Sequence, residues 1–128
     1  MIVADCNLIA YLHIEGKFTK QAELIFDCDP EWVVPYLWRS EFSNILATYV
    51  KQGIITLDKA IANFNTAQAH LAEKEFEINS ISALELSASS GLSAYDSEYV
   101  ILAQKLALKL VTNDKKILKT FPDLAIKI

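Results

Sequence analysis

The 128-residue sequence has few of the residues that make linkers, disulfide frameworks or zinc sites. Three Gly and three Pro leave no linker or disordered tail in view. The two cysteines, Cys6 and Cys28, stand apart without metal-ligand spacing and are expected as isolated buried thiols. His13 and His70 are likewise single, with no partner at helical metal spacing, which argues against zinc. No apolar run approaches the roughly 18–20 residues needed to cross a bilayer. Met1-Ile-Val-Ala-Asp5 enters a structural pattern at once, without the basic start and long apolar region of a signal peptide, so a cytoplasmic protein is expected. Basic charge is also scarce. Twelve Lys and Arg against 16 Asp and Glu give a net charge of −4. With no basic stripe on any helical segment, the chain makes a poor general nucleic-acid binder.

What is present is apolar pattern. The 52% hydrophobic content suits one compact domain over residues 1–128. Short strands are predicted at residues 1–5, Trp32–Pro35, Phe76–Ile78, Leu108–Thr112 and Leu124–Ile126, the third alternating apolar and acidic residues. Helices are predicted between them: Asn7–His13, a second around Ala22–Phe26, a long one from about Tyr36 to Gln52, and one capped by Thr56. Ser82 and Glu85 have capping-box spacing for a short helix ending at Gly91, and Ser93 caps the next. A short basic helix covers Lys115–Lys119. Strands alternating with helices predict an α/β fold: a three-layer sandwich with a parallel sheet of four or five strands. Ligands of such sheets bind in the crevice beyond the carboxyl ends of the strands.

Four acids stand out against this pattern: Asp5, Glu41, Asp96 and Asp114. Asp5 and Asp114 close apolar runs, where Asp is a favoured helix N-cap. Glu41 falls inside the face formed by Leu37, Trp38, Phe42, Ile45, Leu46 and Tyr49, and a carboxylate there must reach the edge or meet a partner. Asp96 follows Ser93 by three residues, where an acid complements the helix dipole. Each position taken singly has such a structural explanation. Their coincidence does not, because a parallel sheet can bring all four to one crevice. Like charges that close repel strongly unless a cation neutralises them, and oxygen donors are what Mg²⁺ and Mn²⁺ take. Asn7, Thr112 and Asn113 offer supporting groups nearby, although turn and cap chemistry suits Asn113 better. Asn44, one turn after Glu41, is placed to bond it or to face water. Arg39, Lys115 and Lys116 are candidate phosphate contacts, with Lys17 and Lys20 further off.

These residues resemble the pattern of PIN domains, most nearly the VapC-type toxins of toxin–antitoxin pairs. The matching parts are Asp5-Cys-Asn7, Glu41 in a long helix, Leu92-Ser-Ala-Tyr-Asp96-Ser-Glu-Tyr and Leu110-Val-Thr-Asn-Asp114, in order along essentially the whole chain. The resemblance implies a PIN-like fold and a metal-dependent ribonuclease. It carries over Asp5, Glu41, Asp96 and Asp114 as the metal-binding and catalytic acids, with Thr112 and Asn7 in support. Cys6 departs from the usual Thr or other small residue, without touching the chemistry. The resemblance also implies a cognate antitoxin and a homodimer.

The fitting reaction is hydrolysis of RNA phosphodiester bonds by a water that one or two Mg²⁺ or Mn²⁺ ions activate. Two other readings remain open. One is a phosphoacceptor domain, which needs a receiving Asp at a middle strand end, where residues 76–79 offer only Glu77 and Asn79. The other is a non-catalytic cation- or partner-binding module, for which Tyr36, Trp38 and Tyr49 are candidate exposed aromatics. A housekeeping PIN nuclease without an antitoxin is a variant of the main reading.

Overall fold

A computed structural model describes all 128 residues. Its elements run β1 (Ile2–Ala4), α1 (Cys6–His13), α2 (Thr19–Cys28), β2 (Trp32–Pro35), α3 (Trp38–Lys51), α4 (Leu57–Leu71), β3 (Glu75–Phe76), α5 (Ser80–Ser90), α6 (Ala94–Leu106), β4 (Leu110–Thr112), α7 (Lys115–Thr120) and β5 (Ala125–Lys127). The five strands form one sheet in the order β3-β2-β1-β4-β5, with every pairing parallel. Every residue of β2 and β4 is buried, as expected of strands covered on both faces. Crossovers in parallel sheets are right-handed. The chain steps outward from β1 through β2 to β3, which puts α1–α4 on one face. It then returns past β1 to β4 and β5, which puts α5–α7 on the other. The contacts agree: α1 packs on α2, α3 and α4, whereas α5 packs on α6.

One core of 26 buried hydrophobic residues lies between these layers. On the α1–α4 face, the Phe64 ring lies nearly parallel to those of Trp38 and Phe42, with centroids 5.5 and 6.1 Å away. Trp38 is fully buried, which corrects its expectation as an exposed aromatic: its indole N–H donates to Glu75 at 2.7 Å. Tyr36 is exposed as expected, and Tyr49 is half-buried. Cys6 is buried but Cys28 is exposed, because it ends α2 on the solvent side. His13 and His70, far apart in sequence, meet with ring nitrogens 3.3 Å apart. Burial, and secondarily His70, push the His13 pKa down to about 4.

Two helix starts bear directly on the sequence expectations. Thr56 caps α4 by accepting from the Lys59 N–H, as predicted. The cap of α5 is instead Asn79, whose Oδ1 accepts from the Ser82 N–H at 3.0 Å, so the helix begins two residues before Ser82. The predicted strand at Phe76–Ile78 shrinks to Glu75–Phe76 because Asn79 starts the helix so soon after it. Gly91 ends α5 at φ 77°, a left-handed backbone that glycine adopts without strain. No helix is long and apolar enough to cross a membrane.

Asn79→Ala is expected to lower stability by about 1 kcal/mol in urea denaturation, with Ser82→Ala near neutral; the reverse order would show that Ser82 is the cap. For His13, the folded pKa lies below the ordinary 6.5, so the unfolded chain takes up the proton first as pH falls. The contribution of this residue is therefore complete above about pH 6.5 and is lost towards pH 4. His13→Gln should lose less stability between pH 7 and pH 5 than the wild type, and identical losses would refute the linkage.

Candidate active site

The four acids are set at the carboxyl-terminal edge of the sheet or on helices that start there. Asp5 follows β1, the middle strand, and Asp114 follows its neighbour β4. Glu41 lies in the first turn of α3, just after β2, and Asp96 lies in the first turn of α6. The N-cap readings of both strand-end acids hold. Asp5 Oδ1 accepts from the Cys6 N–H at 2.8 Å, and Asp114 Oδ1 accepts from the Ile117 N–H at 2.9 Å. The Ser93 hydroxyl caps α6 by accepting from the Asp96 N–H at 3.0 Å. Capping is therefore how these acids are mounted, and it leaves lone pairs on their oxygens.

Thr112 links the two strand ends. Its hydroxyl is fully buried, donates to Asp5 Oδ2 at 2.5 Å and accepts from the Asp114 N–H at 3.0 Å. Tyr99, one turn after Asp96 and also fully buried, donates its phenol proton to Glu41 Oε1 at 2.7 Å. Asn113 lies between Thr112 and Asp114, and its buried Oδ1 has no hydrogen-bond partner.

The acids feel one another. Asp5 is only 7% exposed. Burial raises its pKa to about 6 against the hydrogen bonds from Thr112 and Cys6, and Asp96 and Asp114 raise it further. Burial lifts Glu41 to about 7 against its bond from Tyr99, with Asp5, Asp96 and Glu98 adding repulsion. Asp96 is raised by burial and by Asp114, and drawn down by Ser93 and Lys116. Both Asp5 and Glu41 are thus harder to ionise in the fold, and their charge works against stability as pH rises through that range. Burial also pushes the Cys6 thiol well above its ordinary range, which leaves it inert.

The donor set is all carboxylate oxygen, the chemistry that a hard divalent cation takes. As the side chains stand, no three His, Cys, Asp or Glu groups are close enough together to hold a metal ion. Mg²⁺ is ordinarily held by one or two carboxylates and keeps several waters, so fewer than three protein ligands fit that ion.

The expected basic contacts divide. Arg39 is held away by Glu75 through two hydrogen bonds of 2.6 and 2.7 Å, and its guanidinium lies over Tyr36. Lys116 donates to the Gly91 carbonyl and lies near enough to Asp96 to lower its pKa. Lys115 is exposed. Asn7 and Asn44 line a cavity of about 480 Å³ between α1 and α3 that contains none of the four acids and has Lys17 in its wall. Asn44 makes no hydrogen bond to Glu41; its carbonyl accepts from Thr48. Tyr99 and Glu98 were not singled out from the sequence. The signal was present in Tyr95-Asp-Ser-Glu-Tyr99, where Tyr99 follows Asp96 at the spacing that puts two residues on one side of a helix.

The fold and this acid-lined edge define an α/β domain of the PIN-like class. No family model matches the chain. It is 27% identical over 128 residues to Ribonuclease VapC3 of Pyrobaculum aerophilum, the alignment covering 96% of each sequence. The crystal structure of PAE2754 from Pyrobaculum aerophilum shares the fold, with a TM-score of 0.79 over 99% of this chain and 92% of that one at 21% identity. Over nearly its full length this chain is thus similar in sequence to a VapC-type ribonuclease. One sequence-based objection to a phosphoacceptor needs correction. The middle strand is β1, not β3, and an Asp does stand at its end. That Asp is buried with both oxygens hydrogen-bonded, a poor receiver for a phosphoryl group.

Thr112→Val keeps the shape but leaves Asp5 Oδ2 and the Asp114 N–H without their partner. It is expected to destabilise the protein by about 2 kcal/mol, with Thr112→Ser close to wild type. Equal stability of the Val and Ser variants in urea denaturation would refute the link.

Proposed function

We propose that this chain is an endoribonuclease that hydrolyses RNA phosphodiester bonds with Mg²⁺ or Mn²⁺, held by Asp5, Glu41, Asp96 and Asp114. The observation that carries the reading is the gathering of four buried or half-buried carboxylates at one edge of the sheet, in a chain similar over nearly its full length to a ribonuclease. A structural core gains nothing from gathering like charges, whereas a cation site requires it. When bound, the cation polarises the attacking water and the phosphate and stabilises charge on the leaving oxygen.

The chain's own residues supply rigid mounts. Asp5 and Asp114 are fixed to the ends of adjacent strands by their caps and by Thr112, so their oxygens vary little in position. Asp96 is fixed through the α6 N-terminus. Asn7, exposed in the first turn of α1, can donate to a phosphate oxygen, and the exposed Lys115 can meet the RNA backbone. Arg39 is withdrawn from that role because Glu75 holds both sides of its fork. No Ser-His or Cys-His pair adjoins the acids: His13 and His70 pair with each other, and Cys6 is an inert thiol. Attack by water in this manner leaves 5′-phosphate and 3′-hydroxyl ends.

The same reading makes the chain the toxin of a toxin–antitoxin pair, with an antitoxin as partner, and a homodimer. Exposed apolar residues away from the acids, among them Leu57 and Ile61 on α4 and Ile81 and Leu84 on α5, support a protein-binding surface.

Incubated with a mixed RNA pool and Mn²⁺, the wild type is expected to cut and to stop cutting when the ion is chelated. Asp96→Asn, which keeps the size of the side chain, should lower the rate by at least about 100-fold. Equal cutting by both proteins would sink the assignment of the acids. A folded wild type that cuts no RNA would favour a binding module.

A further inference from the structure

We propose that Tyr99 is a positioning residue of the acidic site: its hydroxyl fixes the Glu41 carboxylate by one oxygen and leaves the other free to act as a cation ligand. This rests on the nuclease reading above. Tyr99 is fully buried, and its Oη lies 2.7 Å from Glu41 Oε1, within the range of a strong charge-assisted bond. Glu41 has no other side-chain hydrogen bond to hold it. Two of the other acids differ in this respect. Asp5 and Asp114 accept from backbone N–H groups at the helices they cap, and the backbone of Asp96 is tied to Ser93.

The geometry explains why a distant tyrosine has this task. Glu41 projects from α3, among the helices of one face, whereas Tyr99 belongs to α6 on the other. An ionised carboxylate only accepts and a phenol O–H donates, so the bond has one direction and sets one orientation. Tyr99 follows Asp96 by three residues, which puts both on one side of α6. One helix thus contributes an acid and also orients a second acid borne by the opposite layer. The bland alternative is a core tyrosine whose hydroxyl happens to find an acceptor. It predicts a loss of stability on removing the hydroxyl, and no change in cation binding.

Tyr99→Phe removes the hydroxyl and keeps the ring. The test is calorimetric titration of Mn²⁺ into wild type, Tyr99→Phe, Glu41→Gln and the double variant, each checked for folding by its thermal transition. Tyr99→Phe is expected to weaken Mn²⁺ binding by on the order of 10-fold, the usual effect of removing a group that orients a metal ligand. RNA cleavage should show a lower kcat with an unchanged KM. In the Glu41→Gln background the same change should have no further effect on Mn²⁺ affinity. Superimposable isotherms for wild type and Tyr99→Phe would overturn the inference, as would an equal loss in both backgrounds. A wild type that neither binds Mn²⁺ nor cuts RNA would instead bring down the nuclease reading, and this inference with it.

Discussion

The Thr112 hydroxyl joins the two central strands where both of them end, donating to Asp5 and accepting from the backbone of Asp114. Parallel pairing of β1 with β4 aligns those ends, with Ala4 opposite Val111. Asp5 and Asp114 must then stand side by side at one edge of the sheet. A short buried hydroxyl is the group that fits between them, since it can donate to a carboxylate and accept from an amide at once. Without it, Asp5 would be buried among like charges with one hydrogen bond fewer, and the raised pKa shows how unfavourable its position already is.

The other two acids reach this edge from opposite layers. β2 hands over to α3 and so delivers Glu41; α5 hands over to α6 through Gly91 and Ser93 and so delivers Asp96. The Tyr99–Glu41 bond connects these layers at the site. Away from the site, Glu75 gathers the Trp38 indole and the Arg39 guanidinium and ties the start of α3 to the edge strand β3. The chain therefore stabilises the surroundings of the acids by ordinary means, and the acids themselves remain the unfavourable part of the fold. That distribution is common where a site must be ready for a ligand.

Most of the element order was legible in the sequence because the strands are short apolar runs bounded by caps or breakers. Trp32–Pro35 was predicted at its observed bounds, and Thr56 and Ser93 cap the helices they were expected to cap. The misreadings have two causes, one local and one long-range. Ser82 with Glu85 fits the local capping pattern, yet Asn79 starts the helix earlier by accepting from the N–H of Ser82 itself. Trp38 and Arg39 looked available from sequence, but both are claimed by Glu75, a residue 36 or more positions away.

Sequence by itself determined which acids interrupt the apolar pattern, the alternation of strands and helices, and hence a parallel sheet with one carboxyl-terminal edge. Local patterns encode these, because caps and apolar periods act over a few residues. Only the tertiary structure decided what each acid touches. It placed Thr112 between Asp5 and Asp114, brought Tyr99 to Glu41 across 58 residues, made β1 the middle strand and committed Arg39 to Glu75. Those outcomes follow from how the layers stack, and hydrogen bonds between distant residues form wherever burial leaves a donor and an acceptor with no other partner.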